Sequence, residues 1–255
     1  MRLHQLLICV LFGYPIFLIA EVYDPIREQI KPNTITFIGE SHKKTESVEL
    51  FQTLVLAAVK DHRCPVIGLE IASDQQITLD AVMLGKSSVK QIKLWPSLDH
   101  AAYLGMIENF AEFKRNGQCI RVIAIDSGMD NNVDRDQWMA SKLEEQVGHQ
   151  PCLVLLGSLH TLKRVNWSVS SGRPSVAELL SAKGHKINSF PQRWIPDNCK
   201  VSEARVSRFV SANSPKALII LNESSMSLIN ATPANSVKGI VDGFIVWECQ
   251  NNYAN

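Results

Sequence analysis

The sequence contains no stretch dominated by charge of one sign. Its 26 Lys and Arg stand against 25 Asp and Glu, a formal net charge of +1. A nucleic-acid surface needs a clustered basic excess, so that class of partner is not expected. No segment repeats at a period of roughly 20–50 residues, and none is low in complexity, which argues against solenoids and linkers. The cysteine spacing matches no zinc knuckle or ribbon. A Gly-x-Ser-x-Gly nucleophile elbow is also missing, so Ser41 and Ser158 give little support to a serine hydrolase. Beyond residue 20 there is no long apolar run. What remains is an ordinary globular composition, 45% hydrophobic and 20% charged over 255 residues, enough for a sizeable core in one large domain.

The N-terminus differs. Arg2 and His4 precede a run from Leu6 to Ala20 interrupted by Gly13, Tyr14 and Pro15. A short charged start followed by a short apolar stretch reads as a secretory signal, the first expectation, with an uncleaved anchor second. Residues 1–20 are therefore the one segment expected to touch a membrane, and the chain is expected to be exported to a periplasm, a surface or the medium. Residues 21–255 are expected to form one domain. Of the remaining cysteines, Cys64, Cys119 and Cys152 stand at the starts of expected strands and read as buried thiols. Cys199 and Cys249 are left to pair if the protein is exported.

Strand and helix patterns alternate through the first two thirds. Thr34–Ile38, Val66–Leu69, Ile120–Ile125, Leu153–Leu156 and His185–Phe190 read as short strands. Val48, Phe51, Leu54, Val55, Ala58 and Val59 recur at helical spacing between the first two. A helical lobe is expected over about residues 73–115, ending at Gly117. Asp134 with Gln137 marks the start of another helix, and Ser175–Lys183 a short one. In the last third, Ala217–Leu221 and Gly243–Trp247 read as strands. The pattern predicts an α/β fold, a three-layer α/β/α arrangement with a mainly parallel sheet and a small helical lobe.

In such sheets ligands bind beyond the carboxyl ends of the strands. The first four strands end in Gly39-Glu40-Ser41-His42, Gly68-Leu69-Glu70, Asp126, and Gly157-Ser158-Leu159-His160. In a parallel sheet these ends share one rim, so three carboxylates and two imidazoles are expected around one crevice. Glu40 and His42 are two residues apart, which sends both side chains the same way from extended backbone. Such a group either binds a divalent metal or works as a general acid and base on water. A Glu or His at a strand end is otherwise a cap or a satisfied polar residue, and Glu40 has that reading as a partner of the next helix. Arg135 is placed to steer an anionic substrate, whereas Asp136 fits the positive end of a helix dipole. His100 and Tyr103 are candidates to line a lid.

The series Phe37-Ile38-Gly39-Glu40-Ser41-His42, Gly68-Leu69-Glu70, Arg135-Asp136-Gln137-Trp138-Met139-Ala140 and Leu156-Gly157-Ser158-Leu159-His160 resembles the ChaN-like family. Its wider superfamily includes the erythromycin esterases and the TIKI/TraB proteins. The resemblance spans about residues 30–190. It implies a three-layer α/β core with a helical lobe, and a family pocket holding Glu40, His42, Glu70 and His160. ChaN-type proteins are associated with haem binding and iron uptake at the bacterial surface, erythromycin esterases open a macrolide lactone, and TIKI proteins are metal-dependent proteases. This chain has one residue fewer between Glu40 and His42 than the esterase-like motif, and Asp126 where ChaN-type sequences often carry Asn.

The leading expectation is an exported hydrolase-like protein acting on a small ester, amide or peptide. Its catalytic set is Glu40, His42, Glu70 and His160, with Asp126, Arg135 and Tyr103 binding the ligand. If a metal is bound, His42, His160 and Glu70 are the expected ligands. The alternative is a non-catalytic haem- or iron-binding protein, with Tyr103 as a candidate axial ligand. A third reading is a structural relative whose pocket binds a partner or nothing. The cofactor is left open between a divalent metal and haem, and the partner is a small-molecule ligand or substrate.

Overall fold

The computed structural model describes residues 23–128, 132–165, 173–195, 205–224 and 234–249. Residues 1–20 and Cys199, on which the expectations of export and of one disulfide fell, lie outside them. Strands β1 (Thr34–Glu40), β2 (Val66–Ala72), β3 (Arg121–Asp126), β4 (Cys152–Gly157), β5 (Lys186–Trp194), β6 (Arg205–Ser211) and β7 (Gly243–Cys249) form one sheet in the order β3-β2-β4-β1-β5-β7-β6. All neighbours pair in parallel except β6 with β7, which is antiparallel. This is the mainly parallel α/β sheet expected from the alternation of elements.

The first two strands are buried along nearly their whole length, as parallel strands covered on both faces must be. One face packs against α1 (Asp24–Arg27), α2 (Thr45–Lys60), α3 (Gln76–Met83) and α4 (Ala101–Arg115). The helical stripe read between the first two strands, Val48 to Val59, is the buried side of α2. Helices α3 and α4 with the short turns around them fall within residues 73–115, where helices were expected. The other face is covered by α5 (Arg135–Gln146) and α6 (Val176–Ala182). The α5 cap is as expected: Asp134 accepts from the Gln137 backbone N–H at 3.2 Å. Among the described residues no helix is long and apolar enough to cross a membrane.

Three expectations need correction. Ala217–Leu221 is not a strand but part of α7 (Pro215–Asn222). Ser214 caps it by accepting from Lys216 N, and Pro215 stands in its first turn, where the missing N–H costs nothing. Ala217, Ile220 and Leu221 are its buried face, a 3.6-residue spacing hidden in a short apolar run. Strand β6 was not foreseen. Third, Cys64 and Cys119 are not thiols but a disulfide joining the lead-ins to β2 and β3, Cα atoms 4.7 Å apart. These strands are neighbours in parallel, so their first residues meet. Cys152 is a free, buried thiol as expected, its pKa pushed up by burial to about 12. Cys249 is disulfide-bonded.

Strand β5 runs four residues past its expected end. Pro191 lies opposite Gly39 at the last rung of the β1 pairing, and Gln192–Trp194 then pair with β7. The proline, which lacks an N–H for a ladder, falls where β5 passes from one neighbour to the next. Gly39 is required there. A Cβ on it would stand 2.9 Å from the backbone of both Pro191 and Ser158. Replacing Gly39 with Ala therefore forces two strands apart beside Glu40, an overpacking cost of about 1–3 kcal/mol. Denaturant unfolding of Gly39→Ala checks this, and an unchanged midpoint would contradict it.

Candidate functional site

The parallel register brings the ends of β1, β2, β3 and β4 to one rim. Glu40 ends β1 and is buried, while His42 follows on the turn toward α2. Glu40 Oε1 lies 2.8 Å from His42 Nδ1. Glu40 Oε2 is buried and has no hydrogen-bond partner among the described residues. Burial raises the Glu40 pKa against the pull of His42. The bond to Glu40 raises that of His42, outweighing the loss of water around the ring.

Strand β4 supplies the floor. Ser158 donates its hydroxyl to the Glu40 carbonyl oxygen at 3.0 Å, so that hydroxyl locks two strand ends together rather than serving as a nucleophile. A Cβ placed on Gly157 would lie 3.5 Å from His42 Nε2 and 3.5 Å from His160 Cδ2. The two imidazoles thus flank this glycine. His160 Nδ1 stands 2.5 Å from Asp136 Oδ1, an ion-pair contact off the line of an ideal hydrogen bond. Burial works against charge on His160, but Asp136 and Glu70 outweigh it and leave the pKa raised. Asp136, expected to serve a helix dipole, is therefore a partner of His160.

Glu70 and Asp126 meet elsewhere on the rim. Arg135, from the first turn of α5, donates through Nε to Asp126 Oδ1 at 2.9 Å and through Nη2 to both Asp126 and Glu70. Glu70 Oε2 accepts the Gly157 N–H at 3.1 Å. Asp126, fully buried, also accepts from Trp95 Nε1 at 2.7 Å, and the Trp95 ring lies 4.8 Å below the guanidinium. Burial opposes the Asp126 charge, yet Arg135 overcomes it and lowers the pKa. Arg135 is itself held charged by Asp126 and Glu70 in spite of its burial.

The cavity between these elements is about 280 Å³ and is lined by Glu40, Ser41, His42, Gly157, Ser158, Leu159 and His160, with Gln192, Arg193 and Trp194 of β5 as its far wall. Gln192 is fixed by Ser47 Oγ at 2.6 Å and Trp247 Nε1 at 2.9 Å. Glu40, His42 and His160 are thus brought together. Glu70, Asp126 and Arg135 form a second cluster that does not line the cavity. Sequence reasoning did not find the β5 wall, because the expected strand stopped at Phe190; the strand-end rule carried on to Trp194 would have reached it.

Two expected binding sets do not fit. Among the described residues no three His, Cys, Asp or Glu side chains are grouped to hold one metal ion. In the expected set of His42, His160 and Glu70, the Glu70 oxygens already accept from Arg135 and from Gly157. Tyr103, the candidate axial haem ligand, is 0% exposed, on the buried face of α4. Burial, with the nearby carboxylates of Glu40 and Glu70, holds its phenol neutral far above the usual range. It does not face the cavity as a ligand.

Removing the guanidinium leaves two buried carboxylates without a counter-charge, a loss of about 3–5 kcal/mol. Arg135→Met should lose that much in urea unfolding at neutral pH. Because Asp126 has a lowered pKa, the stability it contributes is present above the ordinary carboxylate range and is lost as pH falls below it. The gap between variant and parent should therefore narrow as pH falls below the ordinary carboxylate range. A gap that stays constant with pH would count against the ionic account.

No family model and no curated protein matches the sequence. Solved structures do match in shape. A Bacillus cereus protein aligns over 88% of this chain and 90% of its own at 12% identity, with a TM-score of 0.65. An erythromycin esterase mutant in its open conformation aligns over 90% and 93% at 11% identity, with a TM-score of 0.57. ChaN of Campylobacter jejuni, solved with cofacially bound haem, aligns over 69% and 87% at 15% identity, with a TM-score of 0.45. At these identities the likeness concerns shape alone. The chain has an erythromycin esterase-like α/β fold, in keeping with the family resemblance in its sequence.

Proposed function

We propose that this protein is an exported hydrolase of a small ester, amide or peptide, working through Glu40 and His42. The observation that carries the reading is the 2.8 Å contact between Glu40 Oε1 and His42 Nδ1 at the edge of the cavity. A carboxylate that accepts from Nδ1–H fixes the imidazole tautomer and leaves the Nε2 lone pair for a proton. His42 then takes a proton from water as the water attacks the substrate carbonyl. The buried Glu40 stabilises the imidazolium that forms, as a carboxylate does behind any catalytic imidazole. His160, kept toward its charged form by Asp136, offers a proton to the developing oxyanion or the leaving group.

In this scheme Glu70, Asp126 and Arg135 position the floor through the Gly157 N–H and touch no substrate. The shared fold with an erythromycin esterase agrees with hydrolysis of a small molecule. Export is supported by the apolar run at residues 6–20 and by the Cys64–Cys119 disulfide, since such bonds persist in oxidising compartments. N-terminal sequencing of protein secreted by an expressing bacterium checks it; retention of the whole product in the cytosol would oppose export.

His42→Ala should lower kcat/KM for 4-nitrophenyl acetate by about 10²–10⁴-fold while leaving the circular dichroism spectrum intact. The base must be neutral, and the His42 pKa is raised. Activity should therefore fall as pH drops through a value above that of an ordinary imidazole. Glu40→Gln removes the charge that raises it, so the limb should move to lower pH as the plateau falls. A profile whose limb does not move in Glu40→Gln would sink the pairing.

A further inference from the structure

We infer that the cavity takes substrates carrying a carboxylate, or a group of like charge and shape, held by Arg193, with Lys44 over the neighbouring Trp194 ring. This rests on the hydrolase reading for the word substrate; the anion site itself does not depend on it. Glu40 is spent on His42, and Asp136 on His160. Arg135, expected from the sequence to meet an anion, is consumed by Asp126 and Glu70. Arg193 is different. It lines the cavity from β5, and the partner it has is the Glu223 carbonyl oxygen at 3.3 Å. Among the described residues no carboxylate lies within ion-pair reach of it, so most of its five donors are unused.

Lys44 adds a second charge. Its Nζ lies 5.9 Å from the centroid of the Trp194 ring, which belongs to the same wall. It too has no carboxylate partner among the described residues. Trp194 is held in turn by stacking on Trp247, with centroids 5.7 Å apart and planes 15° from parallel. Two other cations of this half of the sheet are neutralised: Lys163 by Asp242 and Arg208 by Glu248. An exposed lysine alone is a solvated surface group. Arg193 in the cavity wall, with no carboxylate partner among the described residues, contributes a positive potential to a concave site. Guanidinium geometry favours a planar, two-oxygen anion.

The cavity's size limits the ligand. At about 280 Å³ it is at or below the lower end of the usual ligand-pocket range. His42, His160 and Arg193 line one space, so a short substrate presents its anion and its acyl carbon at once. The chemistry that fits is a half-ester of a short diacid or an N-acyl amino acid.

Calorimetric titration of the full chain with 3-phenylpropionate and with 3-phenylpropionamide tests the anion site without turnover. The carboxylate should bind at least about tenfold more tightly, as a charge-assisted hydrogen bond requires. Arg193→Met should erase that preference, and Arg193→Lys should keep part of it. Raising salt from about 0.05 M to about 0.5 M should weaken it. In parallel, kcat/KM is compared for mono-4-nitrophenyl succinate and 4-nitrophenyl acetate. Carboxylate-selective binding with no turnover of either ester supports the site and defeats the hydrolase reading. Turnover of both esters alike, with equal binding of acid and amide, overturns the site and leaves the hydrolase. A wild-type chain that does not bind 3-phenylpropionate also overturns it.

Discussion

One guanidinium allows two carboxylates to sit at the end of a hydrophobic sheet. Glu70 and Asp126 are almost wholly withdrawn from water, and isolated anions there would be unaffordable. Arg135 spans both. The consequence reaches the cavity through a single bond, because the second oxygen of Glu70 accepts the Gly157 N–H. Gly157 is the residue that the rings of His42 and His160 flank. A charge cluster that does not itself line the site thus holds the glycine between the two imidazoles, while Glu40 and Asp136 hold the imidazoles themselves.

The sheet imposes a second constraint. Parallel pairing in register brings the ends of β1 and β4 level, with Glu40 opposite Gly157. The Ser158 hydroxyl and the missing Cβ of Gly39 close the remaining gap between β4, β1 and β5. Packing on both faces of the sheet leaves these ends little freedom. A pair such as Glu40 and His42 is worth having on a rigid frame, since a tautomer held by one hydrogen bond survives only while its partner stays still.

Much of this was legible in the sequence, for physical reasons that can be named. Apolar strands of β-branched residues and a helical stripe from Val48 to Val59 announce themselves by period. The strand-end rule picked out Glu40, His42, Glu70, Asp126 and His160, because parallel topology carries all such ends to one side. It did not separate them into two clusters. That division depends on Arg135, whose reach from α5 to both carboxylates is a matter of tertiary distance. The apolar run of α7 reads as a strand because five residues do not distinguish the two periods, and the cap at Ser214 and Pro215 is the signal for a helix. The Cys64–Cys119 bond needed the knowledge that β2 and β3 are neighbours. The β5 wall lies beyond the expected end at Phe190, where Pro191 falls at the change from one pairing partner to the next.

The account stands or falls on the state of one imidazole. Nitrogen-15 NMR of the protein with labelled histidine, titrated through neutral pH, reports both the tautomer and the pKa of His42. The structure predicts a proton on Nδ1 of the neutral ring, where Glu40 accepts it, and a pKa above the ordinary histidine value. A proton on Nε2, or a pKa at or below that value, would contradict the pairing on which the proposed chemistry depends.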